Sequence, residues 1–230
     1  MKRVKNALRL LWRWTYKAVL WFLVLSVVWV LLYKWVNPPI TYLQIREGRK
    51  NYAWVDIEEI SKEMQLAVVA SEDQHFPVHW GIDVNAVKKA AEANEKGKKT
   101  RGGSTISQQT AKNVFLWPAR SWVRKGLETW FTVLIELFWS KERIMEVYLN
   151  SIEMGNQCFG VHAAAKMHFK TTAGKLSRHQ AALIAGALPQ PRKSNAGKPT
   201  AYLNGRAAKI EKQMRLLGGP SYLPWLAKSK

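Results

Sequence analysis

L-A-V-V-A-S-E-D-Q-H-F-P-V-H-W-G-I-D, residues 66–83, sets five apolar positions directly before a cluster of ionisable ones. Leu66, Ala67, Val68, Val69 and Ala70 read as buried, so Glu72, Asp73, His75 and His79 fall at the mouth of a core. Partial desolvation at such a place raises a carboxyl pKa. A second polar run, R-G-G-S-T-I-S-Q-Q-T-A-K-N, spans Arg101 to Asn113. It offers a glycine turn, hydroxyls, amides and one lysine, a set suited to oxygen-rich anionic ligands such as sugars and phosphates.

Working outward, the chain has 230 residues, enough for one domain and an appendage. The single cysteine, Cys158, excludes an internal disulfide and a multi-cysteine zinc site. The net charge is +20, yet the first 36 residues hold seven basic side chains and no acidic one. The remainder is still basic, which fits nucleic acid, an anionic membrane surface or a pyrophosphate-bearing substrate. Twelve tryptophans favour the membrane interface.

The appendage is N-terminal. Lys2, Arg3, Lys5, Arg9, Arg13 and Lys17 precede an uncharged run from Ala18 to Tyr33, with Lys34 and Trp35 able to extend it. Sixteen residues of helix rise about 24 Å, close to a bilayer's requirement. The basic flank predicts a cytoplasmic N-terminus with the rest of the chain outside the cytoplasm. A cleaved signal peptide is the rival, but no small-x-small site follows the apolar run. The expected organisation is a basic tail over 1–17, a transmembrane helix over 18–36, a linker over 37–49 and one domain over 50–230.

Within that domain the pattern is helical. Asp56 with Glu59 resembles a capping box leading into Ile57, Ile60, Met64, Ala67 and Val68. Asp83, Ser104 or Thr105, Ser121, Ser140, Ser177 (with Gln180) and Thr200 can each cap a further helix, and Gly218-Gly219-Pro220 ends the last. The fold class expected is all-α.

Each polar group has a functional and a plain reading. Glu72 can act as a general base with its pKa lifted towards working pH, or can merely solvate a helix end. His75 and His79 are four apart, as a metal pair would be, but no third ligand is evident. Phe76 reads as a packing residue that orients the loop. A helix starting at Ser104 or Thr105 presents N–H groups to phosphate, with Gln108, Gln109 and Lys112 on neighbouring positions. Arg124 and Glu128 are four apart: an exposed ion pair worth under about 1 kcal/mol, or a second acidic group beside arginines that grip pyrophosphate. T-W-F-T-V-L-I-E-L-F-W, Thr129 to Trp139, is too short to span a bilayer and more apolar than one face requires. In K-E-R-I-M-E-V-Y-L-N, Ile144, Val147 and Tyr148 face a core while Glu146 and Asn150 share another face.

Taken in order, these segments resemble glycosyltransferase family 51, the peptidoglycan glycosyltransferases. Its motif E-D-x-x-F-x-x-H-x-G is matched at Glu72, Asp73, Phe76, His79 and Gly81. G-G-S-T-I-(S/T)-Q-Q-x-x-K-N is matched from Gly102 to Gln109 and at Lys112 and Asn113. R-K-x-x-E falls at Arg124, Lys125 and Glu128, and K-x-x-I-x-E-x-Y-L-N from Lys141 to Asn150. A-A-L-I-A-G-A-L-P-Q-P, Ala181 to Pro191, resembles a fifth. No S-x-x-K or K-T-G string of a penicillin-binding transpeptidase occurs, so the likeness points to monofunctional members.

The resemblance implies a lysozyme-like domain with a small membrane-proximal lobe, at the outer face of a bacterial inner (plasma) membrane. It implies polymerisation of lipid II into β-1,4-linked glycan with release of undecaprenyl pyrophosphate. Glu72 would be the base. Lys112, Arg120 and Arg124 would neutralise pyrophosphate, and Ser104, Thr105, Gln108 and Gln109 would line the donor site. Asp73, Phe76, His79, Lys125, Glu146 and Asn150 complete the substrate-contacting set. Glu128 would position donor groups or hold a divalent cation, Mg or Mn; no tightly bound cofactor is expected. Partners implied are lipid II, the growing strand, membrane lipid and cell-wall synthesis or division proteins, and no nucleic acid. A muramidase on the same fold and an inactive anchored scaffold are the competing readings.

Overall fold

The computed structural model of the chain describes residues 2–83, 88, 103–119 and 121–227. It divides into two compact units, residues 1–37 and 38–230.

The first unit is one helix, α1 (Lys2–Trp35). No glycine or proline interrupts the sequence before Pro38, so the basic tail continues the apolar helix rather than standing apart from it. Arg9–Trp35 is long and apolar enough to cross a membrane. Lys17 lies 5.6 Å over the Trp14 ring and Lys34 5.1 Å over Trp35, pairing cation with aromatic at either end of the apolar stretch.

Among its described residues the second unit is mainly helical, with one small hairpin. It opens with α2 (Tyr42–Glu47), inside the segment expected as a linker, started by a capping box between Thr41 and Gln44. Next come a 3₁₀ turn at Ile57–Glu59 and α3 (Lys62–Glu72). The capping box expected at Asp56 and Glu59 does not form, because Asp56 makes no side-chain capping bond. Instead the amide of Gln65 donates to the carbonyls of Ile57 and Ile60, 3.0 Å each, and so holds the turn against the helix that follows. Met64 to Ala70 are all buried, which makes α3 the central helix.

Further on lie α4 (Ile106–Phe115), α5 (Trp122–Phe138) and α6 (Lys141–Ser151), capped by Thr105, Ser121 and Ser140 as the sequence predicts. The helix expected after Asp83 lies outside the described residues. Strands β1 (Glu153–Gly155) and β2 (Cys158–Phe159) form an antiparallel hairpin, followed by α7 (Gly160–Phe169). Gly160 sits at φ +80°, and a Cβ there would lie 2.9 Å from the carbonyl oxygen of Asn150. Only glycine fits so close a turn out of the hairpin. The chain closes with α8 (Arg178–Ala187), α9 (Ala201–Leu216) and the short α10 (Pro224–Ala227). Helices α8 and α9 pack on each other and on α3, while α4 packs on α5 and α6. The site lies where the end of α3 meets the start of α4.

Candidate active site

Residues 73–83 leave α3 as a loop held by the starts of α4 and α6, by α5 and by Trp225. Asp73 is buried; both its oxygens meet Nε2 of His79 at 2.9 Å, and Oδ2 also accepts from the backbone N–H of Ile106 at 3.0 Å. That carboxylate therefore sits on the N-terminus of α4, where helix dipole and unpaired N–H groups favour negative charge. Phe76 is fully buried, edge-on to His79 and to Trp225. Lys141 lies 4.6 Å over the Phe76 ring and donates to the carbonyl of His79 at 2.6 Å and to Glu136 at 2.8 Å. Glu136 also takes the hydroxyl of Ser107.

Farther along the loop, Thr105 donates to the carbonyl of Gly81 at 2.5 Å. A Cβ on Gly81 would meet Thr132 Cγ2 at 2.7 Å, so α5 approaches the loop closely there. Exposed His75 pairs with Asp83 at 2.8 Å instead of joining His79. The two histidines do not converge as metal ligands. No group of three or more His, Cys, Asp or Glu able to hold a metal occurs among the described residues.

Glu72, the last residue of α3, stands half-buried beside this frame. Its Oε2 accepts from the Gln109 amide at 3.1 Å. Burial raises its pKa, and nearby Asp73 adds to the rise; the Gln109 bond and the charges of Arg206 and Lys112 oppose it. It lines a cavity of about 210 Å³ with His75, Asp83, Ser104 and Thr105. The result is a carboxyl of lifted pKa facing a small polar chamber, which can accept a proton from a hydroxyl placed there.

Helix α4 divides its polar residues between structure and site. The hydroxyl of Thr105 accepts from the N–H of Gln108, and the Gln108 side chain accepts from the N–H of Thr105, which closes a capping box. Gln109 holds Glu72. Lys112, one turn on, is depressed in pKa by burial, with Arg124 and Lys125 adding to that and Glu128 opposing it most. Lys112 and Arg124 line a second cleft, about 550 Å³, whose other walls include Leu43, Leu116 and Pro118. Its lining is both cationic and apolar.

Buried Glu128 gives one oxygen to Arg124 at 2.6 Å and the other to Lys125. With both oxygens held by the protein's own cations, its carboxylate does not fit the role of a cation ligand. Arg120 lies outside the described residues. Glu146 accepts from the Trp54 indole at 3.1 Å and from Arg143 at 3.0 Å, and Asn150 pairs with both backbone groups of Val55. Both residues thus fasten α6 to residues 54–55. A larger cavity, about 760 Å³ beside Ile57, Lys62 and Trp225, contains none of the residues predicted for the site.

Three groups escaped sequence reasoning. Arg206 approaches Glu72 from α9, Glu136 anchors the loop through Lys141, and the Tyr148 hydroxyl reaches Gln109. Glu136 sat in an apolar run and Tyr148 read as core; Arg206 carried no local signal.

A buried-edge carboxyl facing a polar chamber, next to a cationic cleft with an apolar wall, is the equipment of a glycosyl-transferring enzyme. The transglycosylase family model matches residues 40–215, and the chain belongs to that family. It is 52% identical to the biosynthetic peptidoglycan transglycosylase of Pseudomonas putida (strain GB-1), over 93% of this chain and 95% of the relative. The protein of the same name from Stutzerimonas stutzeri (strain A1501) is 53% identical over 90% of each chain. That of Pseudomonas fluorescens (strain Pf-5) is 48% identical over 97% of each.

Proposed function

We propose that this transglycosylase polymerises lipid II into β-1,4-linked glycan, with Glu72 as general base. The observation that carries the proposal is the placement of Glu72, raised in pKa by burial, at a polar chamber with Lys112 close by on α4. Glu72 removes the proton of the acceptor sugar's 4-hydroxyl. The freed oxygen bonds to the donor's anomeric carbon as the carbon–oxygen bond to pyrophosphate breaks, with inversion. The proton rests on Glu72, and the electron pair leaves with undecaprenyl pyrophosphate.

Lys112 and Arg124 neutralise that leaving group, and the apolar wall of Leu43, Leu116 and Pro118 suits the first part of its lipid chain. Glu128 acts as the counterion that fixes Arg124 and Lys125. A muramidase has no pyrophosphate to hold, so the cationic cleft favours the polymerase. The chain is anchored by α1; the basic flank supports a cytoplasmic N-terminus and a periplasmic catalytic unit at the inner membrane.

Incubation of the purified, detergent-solubilised chain with fluorescent lipid II tests the proposal. A ladder of long, muramidase-sensitive products is expected. Cleavage of preformed glycan without a ladder would establish a hydrolase instead.

A further inference from the structure

Tyr148 is wholly buried on α6, yet it ends in a polar hydroxyl that a phenylalanine would spare the core. Burying such a group unpaired costs free energy, so its partner matters. That partner is Gln109: the Tyr148 hydroxyl donates to Gln109 Oε1 at 3.4 Å. The other end of the same amide donates from Nε2 to Glu72 Oε2 at 3.1 Å and to the Ser104 carbonyl at 3.4 Å. An amide has one accepting and one donating end, so a donor fixed at Oε1 turns the N–H groups towards the carboxylate.

We propose that Tyr148 is a positioning residue for the Glu72 base, acting through the orientation of Gln109. The inference rests on the reading of Glu72 as the base. Burial also keeps the phenol's pKa well above its usual value, so the hydroxyl stays protonated and remains a donor across the working range. Without it, the amide keeps only its Nε2 bonds to Glu72 and to the Ser104 carbonyl, and its orientation is less firmly fixed. The N–H bond that lowers the Glu72 pKa is then weakened or lost.

Other charges facing Glu72 are Asp73 at the end of α3, Lys112 on α4 and Arg206 on α9, with His75 and Asp83 around the chamber. Tyr148→Phe alters none of them.

The test is the pH profile of lipid II polymerisation by the full-length chain, for wild type, Tyr148→Phe and Glu72→Gln. A base must be ionised to accept a proton, so the wild-type rate falls on the acid side as Glu72 protonates. In Tyr148→Phe that acid limb should move to higher pH by roughly half a unit to one unit, a loss of about three- to tenfold on the limb that recovers in alkali. Phenylalanine keeps the ring, and an unchanged unfolding temperature would exclude loss of fold.

A uniform loss at every pH, or an unmoved midpoint, would overturn the proposal and leave Tyr148 a packing residue. In a Gln109→Met background, Tyr148→Phe should shift the midpoint no further; an additional shift would show action by another route. Wild-type turnover in Glu72→Gln would remove the base itself, an outcome distinct from any result at Tyr148.

Discussion

At the residue scale, Glu72 holds two demands in tension. The burial that readies it to accept a proton also makes its ionised form costly. A carboxyl whose folded pKa is raised binds its proton more tightly in the folded chain than in the unfolded one. Stability is therefore lost as pH rises from the usual carboxylate range through the folded pKa. Glu72→Gln should accordingly raise the unfolding temperature at neutral pH, with the gain vanishing below the usual carboxylate pKa; thermal melts at two pH values check this. On the proposed function Lys112 works by charge in the second cleft, so Lys112→Ala should weaken apparent affinity for lipid II about tenfold or more, read by titration. Unchanged affinity would remove the pyrophosphate contact.

At the scale of elements, the start of α4 does most of the positioning. Thr105 closes its capping box, bonds Gly81 and begins the helix that carries Gln109 and Lys112. Thr105→Ala should lower stability by roughly 1–2 kcal/mol and reduce turnover as well, measured by denaturant melts and rate together. Gly81→Ala should cost roughly 2–4 kcal/mol, because its φ of +74° is unfavourable to a side chain and α5 leaves no room.

This is also where the sequence was most legible. Thr105, Ser121, Ser140, Ser177 and Thr200 all start helices as expected, since a cap bonds only to the next turn of its own chain. Longer-range partners were not written locally. The spacing of Glu146 and Asn150 put them on one face, but nothing nearby announced Trp54 and Val55 as what they hold. Glu72 and Asp73 both line the chamber, and only the fold shows that Asp73 uses its oxygens to lock His79 to α4 while Glu72 accepts from Gln109. The hairpin and α7 depend on Gly160 packing against Asn150, a contact without periodicity.

For the whole molecule, α1 and the basic catalytic unit answer the same problem, a substrate that is both lipid and anion. The apolar helix suits anchorage at a bilayer, and on the proposed function Lys112 and Arg124 of the second cleft meet the charged headgroup. Because Glu128 is held by Arg124 and Lys125, the proposed function has charge neutralised by the protein's own cations. Chelation of divalent ions should then leave the polymerisation rate within about twofold of the untreated enzyme. A severe loss, restored by Mg or Mn, would return the cation to the mechanism.

The most direct measurement compares wild type and Glu72→Gln for lipid II binding and for single-turnover glycan formation in the same detergent. Binding should be retained while the rate falls by about 10²–10⁴, the contribution of a positioned general base. Glycan formation by Glu72→Gln at the wild-type rate would contradict the assignment of Glu72 as the base.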